Sequence, residues 1–329
     1  RAPLEAASMG ITLSESDVAY RCNLVTLGFN NEETIMVDYS AGHISSEEAR
    51  ELIQSVGQEL GTDNLRFYPG ISYRHLMVWS NGEGDIACTP PHDITGRDIA
   101  AYLPRGDGDT ILRKLMDESV DILNEHQVNK NRVRDGKRPA NSIWFWGQGK
   151  RPAIPAFQDK YGVSGSLISA VDLTKGLGIY AGFKIINVPG ATGYIDTNYR
   201  GKADAAIDAL RERDFVYIHI EAPDEAGHNG NLKDKIQAIE DIDEKVIGPV
   251  LERAEKLFPE FRMLVMPDHA TPIEVKTHTD DWIPCMIFDS TGRIKGKGHK
   301  SYSEDICTEA AVKTFTEGHR LMDFFITGK

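Results

Sequence analysis

Cysteine is scarce in this chain. Cys22, Cys88, Cys285 and Cys307 are widely spaced among 329 residues and form no Cys-x-x-Cys pair, so neither a disulfide framework nor a thioredoxin-like motif is written here. Isolated cysteines in a chain this large favour a reducing, cytoplasmic setting. No apolar run approaches the length of a membrane span, which predicts a soluble protein without a membrane partner. Positive charge is also short, with 37 Lys and Arg against 50 Asp and Glu and a net charge of −13. A chain with no cationic excess cannot displace phosphate counterions broadly, and general nucleic-acid binding is excluded. There is no internal repeat and no low-complexity segment. Nor does the chain open on Met: Arg1-Ala-Pro-Leu-Glu5 is neither a basic nor an apolar leader, and the expectation is a chain that begins inside a longer polypeptide.

What is present is ordinary globular composition, 40% hydrophobic and 26% charged, at a length sufficient for two domains. The first half mixes strand and helix signals. Val18–Leu27 and Thr34–Val37 read as strands joined by Asn30-Asn31. The capping box Ser45-Ser46-Glu47-Glu48 opens a helix that should close near Gly61. Strands at Leu65–Tyr68 and Tyr73–Trp79 are expected to turn at Pro69-Gly70, residues 81–108 read as loop, and a helix spans about 110–125. The polar, basic stretch 127–138 precedes an aromatic strand, Ser142–Trp146. From about residue 160 the pattern becomes strand–helix alternation. Val163–Val171, Phe183–Val188, Phe215–Ile220 and Met263–Met266 are short apolar runs of the kind buried in a parallel sheet. Ala203–Arg213 and Leu232–Leu257 are helical, the latter kinked or broken at Gly248-Pro249.

Three clusters carry the chemistry. Asp224 and His228 follow the Phe215–Ile220 strand, and a helical turn after Pro223 would put both on one side. Asp268 and His269 follow Met263–Met266, and His278 comes shortly after, in Lys276-Thr-His-Thr-Asp280. In an α/β sheet, chemistry gathers at the carboxyl ends of the strands. Carboxylates and imidazoles delivered there suit Mn, Fe, Co or Zn better than Ca. The blander alternative is a helix N-cap at Asp224 with solvated imidazoles. Elsewhere, Pro189-Gly-Ala-Thr-Gly193 lacks the lysine of a phosphate-binding loop and reads as a tight turn. Arg21, Arg74, Arg132, Arg134 and Arg138 are scattered forks suited to phosphate or carboxylate, and Lys175 is a further candidate cation. Arg293–Lys300 reads as a solvated, mobile loop.

The segments DVAYRCN (from Asp17), PGATGYIDT, DFVYIHIEAPDEAGHNG, KIQAIEDID, PDHATPI and HTDDWIP together resemble the archaeal-type cofactor-independent phosphoglycerate mutases of the alkaline phosphatase superfamily. The resemblance runs over nearly the whole chain. It implies an α/β fold, an alkaline-phosphatase-like sheet domain with helices on both faces plus a smaller inserted α+β domain. Residues 1–14 would be a remnant of the phosphatase-like domain, 15–145 the substrate-clamping insertion and 146–329 the metal-binding domain. It also implies two divalent ions, Mn²⁺ first, with Zn²⁺, Co²⁺ or Mg²⁺ as alternatives. Asp224, His228 and His278 would hold one ion, Asp268 and His269 the other. The implied substrate is a small phosphorylated molecule, 2- or 3-phosphoglycerate, bound through Arg21, Arg74, Arg132, Arg138 and Lys175. Transfer would pass through a phosphoserine. Asp281-Trp282-Ile283-Pro284 departs from the Asp-Pro-Val-Pro usual in the family. The family's nucleophilic Ser and a further Asp ligand would lie upstream of Arg1, so the expectation is a truncated form, inactive by itself, with no nucleophile assigned. A homoserine-kinase-like or phosphohydrolase activity, or a metal- or phosphate-binding fragment without turnover, are the competing readings.

Overall fold

The computed structural model describes residues 1–30, 33–296, 302–309 and 312–328; Asn31 of the expected turn and residues 297–300 of the expected loop lie outside them. The chain divides into two units, one comprising Arg1–Ile154 with Asp172–Tyr180, the other Pro155–Val171 with Ala181–Lys329. Among the described residues no helix is long and apolar enough to cross a membrane, and the four cysteines are unpaired.

The first unit runs α1 (Ala2–Ser8), β1 (Asp17–Phe29), β2 (Thr34–Asp38), α2 (Ser46–Leu60), β3 (Leu65–Ile71), β4 (Arg74–Ser80), α3 (Asp109–Glu125), α4 (Gln127–Arg134) and β5 (Ser142–Lys150). The capping box works as written: Ser45 Oγ accepts the Glu48 amide at 3.2 Å, and Gly61 ends α2. The sheet is antiparallel throughout, in the order β2-β1-β4-β3 with β5 along the other side of β1. Both faces of β1 are covered. Val18, Tyr20, Cys22 and Leu24 join a core with Leu52, Ile53 and Val56 of α2 and Leu112 and Leu115 of α3. Ala19, with Leu76 and Val78 of β4, meets Ala2 and Ala6 of α1. That two-sided burial is why every residue from Asp17 to Leu27 is buried, the polar Arg21, Asn23 and Thr26 included.

Two local expectations need correction. Pro69-Gly70 does not turn the chain; both lie inside β3, where the register shifts, and the turn comes at Ser72-Tyr73 with Ser72 at φ 53°. An edge strand tolerates a proline because its outward N–H has no partner to lose. The stretch 127–138 contains a helix, α4, invisible to apolar periodicity because the residues it buries are Asn129 and Arg132.

His75 on β4 is buried, with Nδ1 accepting the Gly70 amide at 3.0 Å and Nε2 without a partner. Burial, reinforced by the Arg21 charge, pushes its pKa down to about 3. The unfolded chain therefore takes up a proton below the ordinary histidine range that the folded chain refuses. Stability from this group is present above about pH 6.5 and is lost as pH falls toward 3, at up to about 1.4 kcal/mol per pH unit. Urea titrations between pH 7 and 4.5 should show His75→Leu with a shallower acid loss than the parent; equal slopes would remove His75 as the cause.

The chain enters the second unit with α5 (Phe157–Tyr161) and β6 (Gly165–Ile168), returns to the first as α6 (Asp172–Tyr180), and continues in the second with β7 (Lys184–Ile186), α7 (Tyr199–Leu210), β8 (Phe215–Ile218), α8 (Ala222–His228), α9 (Leu232–Ile242), α10 (Gly248–Leu257), β9 (Arg262–Val265), β10 (Met286–Asp289) and α11 (Arg320–Thr327). In α6, a Cβ on Gly176 would lie 2.0 Å from the Leu4 carbonyl oxygen of α1, so only glycine allows that approach. In the second unit β7, β6 and β8 form a parallel sheet with β6 at its centre. The expected alternation is thus borne out for these three, each shorter than its apolar run. β9 is a correction: it pairs antiparallel with β10 in a separate two-stranded sheet. The long helical stretch is interrupted as expected near Gly248-Pro249. The device is a π-helical turn, Asp243–Ile247, in which the Gly248 amide reaches back to the Asp243 carbonyl.

Candidate metal centre

Pro223 lies in the first turn of α8, where a missing N–H is harmless, and three residues separate that helix from the end of β8. Asp224 and His228 then fall one helical turn apart and face each other, His228 Nε2 lying 3.3 Å from Asp224 Oδ2. The chain after β9 brings the other side. A single antiparallel bridge, Ala270 to Thr279, folds 268–280 back on itself and carries His269 and His278 to the same place. Their rings stack with centroids 3.7 Å apart. His278 Nε2 lies 3.1 Å from His228 Nε2 and 3.5 Å from Asp224 Oδ1. Donor atoms of Asp224, His269 and His278 lie within 4.8 Å of one another. Asp268 is more exposed and stands 3.3 Å from His269 Nε2.

The outer contacts fix which ring nitrogens face inward. His228 Nδ1 lies 3.0 Å from the Lys276 carbonyl, which can only accept, so Nδ1 carries a proton and Nε2 is the nitrogen that points inward. Lys276 presents that carbonyl from a backbone at φ 58°, a conformation seldom held by a non-glycine residue without functional or packing reason. Thr271 Oγ1 donates to Asp224 Oδ1 and must therefore accept from His269 Nδ1, 3.2 Å away. That leaves His269 Nε2 facing Asp268 at 3.3 Å. Nitrogens turned toward carboxylate oxygens in this way need a proton or a metal ion between them. Nitrogen and oxygen donors of this kind suit Mn²⁺, Co²⁺ or Zn²⁺, and the outer hydrogen bonds are those that orient imidazole ligands. The donor set fits the divalent ions that the sequence implied.

Packing holds the two segments together. A Cβ on Gly227 would lie 2.5 Å from the Thr271 carbonyl oxygen, so α8 can approach the 268–280 segment only with glycine there. Lys235 Nζ donates to the same carbonyl at 2.6 Å. Thr271, buried under the cluster, was visible in the sequence only as the residue before Pro272.

Beneath α8 lies a polar group that sequence reasoning missed. His219, just past β8, sits between Ser169 Oγ (3.2 Å from Nδ1) and Glu221 Oε2 (3.1 Å from Nε2). Lys202 of α7 is fully buried and donates to the His219 carbonyl at 3.2 Å. Burial pushes the Lys202 ammonium down to about 8, against the pull of Glu221. Burial and the charges of Asp224, Glu225 and Asp268 push Glu221 up to about 6. The adjacent HIE tripeptide was the available signal.

The candidate cations of the first unit fall into two groups. Arg21 on β1 is buried, its guanidinium 4.6 Å over the Trp146 ring, and its Nε lies 3.1 Å from Glu5 at an angle that makes no hydrogen bond. Burial lowers it to about 10 despite Glu5. Arg74 is exposed at the start of β4, beside Tyr73. Arg132 and Arg138 are engaged in the fold. Arg132 donates to Glu48 Oε2 (2.7 Å), the Ala41 carbonyl (2.6 Å) and the Arg138 carbonyl (2.9 Å), and Arg138 donates to Asp38 (2.6 Å). Both line a hollow of about 750 Å³ with Asp38, Ser40 and Glu48. Lys175 is half-buried on α6.

Residues 1–129 match the profile of a family described as 2,3-bisphosphoglycerate-independent phosphoglycerate mutase. A probable enzyme of that name from Geobacter sulfurreducens is 50% identical over 99% of this chain and 81% of its own length. One from Methanosarcina acetivorans is 57% identical over 88% of this chain and 72% of its own. Among solved structures, the cofactor-independent phosphoglycerate mutase from Thermoplasma acidophilum superimposes with a TM-score of 0.63 at 26% identity, over 99% of this chain and 80% of that one. A Pyrococcus horikoshii protein superimposes with a TM-score of 0.70 at 26% identity, over 88% and 68%.

Proposed function

The chain belongs to the 2,3-bisphosphoglycerate-independent phosphoglycerate mutase family, and from that premise we propose that it interconverts 2- and 3-phosphoglycerate by metal-dependent phosphoryl transfer through a phosphoserine. In this reading the second unit is the alkaline-phosphatase-like part. Asp224, His228 and His278 hold one divalent ion, and Asp268 and His269 hold the other, with Mn²⁺ the first choice. When bound, such a pair of ions neutralises charge on the attacking and leaving oxygens of an in-line transfer. The chain's own residues do the orienting. Lys276 and Thr271 fix which imidazole nitrogens face inward, and Thr271 also holds the Asp224 carboxylate. Arg21 and Arg74 are assigned to the carboxylate or phosphate of the substrate, because a guanidinium fork with unfilled donors can bind either in bidentate fashion; Lys175 is a further cation for it. Arg132, bonded to Glu48 and two carbonyls, and Arg138, bonded to Asp38, are assigned to holding the hollow between α2 and α4.

The observation that supports this beyond kinship is that Nε2 of both His228 and His269 faces a carboxylate, Asp224 and Asp268, while each Nδ1 is held from outside. The test incubates the full-length protein with Mn²⁺ and 3-phosphoglycerate and follows 2-phosphoglycerate through an enolase-coupled absorbance. Metal-dependent appearance of 2-phosphoglycerate is the expected result. Phosphate release without 2-phosphoglycerate would replace the mutase by a phosphohydrolase, and turnover only with ATP and homoserine would replace it by a kinase.

A further inference from the structure

We propose that His219 is a positioning residue: its imidazole joins Ser169 to Glu221 and thereby holds the first turn of α8, which carries Asp224 and His228. The inference rests on reading those two residues as metal ligands. Ser169 follows β6 and His219 follows β8, so the relay ties two strand exits to one helix start. Ser169 Oγ accepts the Val171 amide at 3.0 Å and lies 3.2 Å from His219 Nδ1, closer than the 3.5 Å to its other partner, the Val171 carbonyl. On the other side of the ring, His219 Nε2 lies 3.1 Å from Glu221 Oε2, an ion-pair distance. Glu221 in turn opens α8, its carbonyl accepting the amides of Asp224 (2.9 Å) and Glu225 (3.1 Å). Lys202 fixes the His219 backbone from below through the carbonyl, and its buried ammonium balances the acidic group above it. The group reaches the centre in two ways, through the α8 backbone that Glu221 opens and through the Glu221 charge, which acts on Asp224 and Asp268.

Two variants separate the two ends of the relay. A glutamine amide nitrogen reaches about where imidazole Nε2 sits, and an asparagine amide about where Nδ1 sits. His219→Gln should keep the contact with Glu221, and His219→Asn should lose it. Mn²⁺ titration by calorimetry is expected to give His219→Asn an affinity about tenfold weaker, the usual scale for removing an outer hydrogen bond, with His219→Gln close to the parent. Amide exchange without metal should be faster in residues 222–228 of His219→Asn and unchanged in β6 and β8. Parent-like exchange and affinity in both variants would overturn the proposal. So would faster exchange spread over β6 and β8 with a lowered melting temperature, which marks a merely structural histidine. Failure of the parent to bind Mn²⁺ would sink the metal reading alone, and the exchange of α8 would still decide the positioning role.

Discussion

Asp224→Asn is expected to weaken Mn²⁺ binding by at least about 100-fold while leaving the fold intact. The shape of the side chain is kept, and an amide oxygen can still accept from Thr271. What disappears is a negative charge that faces His228 on one oxygen and His278 on the other. Removing a first-sphere carboxylate takes away both a ligand and the charge that offsets the ion. In the absence of metal the same substitution should cost no stability. Asp224 stands near Glu221 and Asp268, like charges whose mutual repulsion is part of what pushes Glu221 up to about 6. The metal-free melting temperature is therefore expected to hold or rise, and mutase turnover of the full-length protein to vanish. Unchanged Mn²⁺ affinity, measured by calorimetry on protein stripped with chelator, would remove Asp224 from the centre. A melting temperature that falls in the metal-free protein would show instead that Asp224 is a cap or a structural acid.

Trp144→Ala is expected to cost about 3–5 kcal/mol, confined to the first unit. Trp144 lies on β5, fully buried, opposite Asn23 of β1, and its Nε1 donates to the Thr89 carbonyl at 2.8 Å. Truncation leaves a void in a core shared with α2 and α3 and strips Thr89 of its donor, so both the packing and the hydrogen-bond losses apply. Denaturant unfolding followed by circular dichroism should show one transition moved to lower denaturant, while Mn²⁺ affinity stays within error of the parent. Trp144→Phe should recover much of the loss by refilling the void. A shift below about 1 kcal/mol would mean that the strand collapses onto the gap and that the core is less rigid than its burial implies.

Local elements were legible where their signals are local. The Ser45 box specified α2 because a cap and its partner are three residues apart, and Gly248-Pro249 marked the interrupted helix because proline lacks a donor. α4 was missed because polar residues fill its buried face, and the turn after β3 was misplaced because edge strands forgive a proline. β9 read as one more parallel strand, since a four-residue apolar run carries no record of its neighbour; only pairing with β10 decided its sheet.

Asp224, His228, Asp268, His269 and His278 stood out in the sequence because carboxylates and imidazoles at strand exits are chemically conspicuous whatever their distance apart. So did membership of a phosphoryl-transfer family, through segments spread along the chain. The tertiary structure alone decided that the His278 and His228 nitrogens meet at 3.1 Å, which ring nitrogens face inward, and that His219 and Lys202 lie beneath Glu221. It also decided that Arg132 is held by the fold while Arg21 keeps an unfilled donor. The physical reason is one of range. Residue type and spacing encode what a side chain can bind, but hydrogen-bond partners are assigned by backbone carbonyls and hydroxyls that any sequence supplies, and only folding brings a particular one within 3 Å.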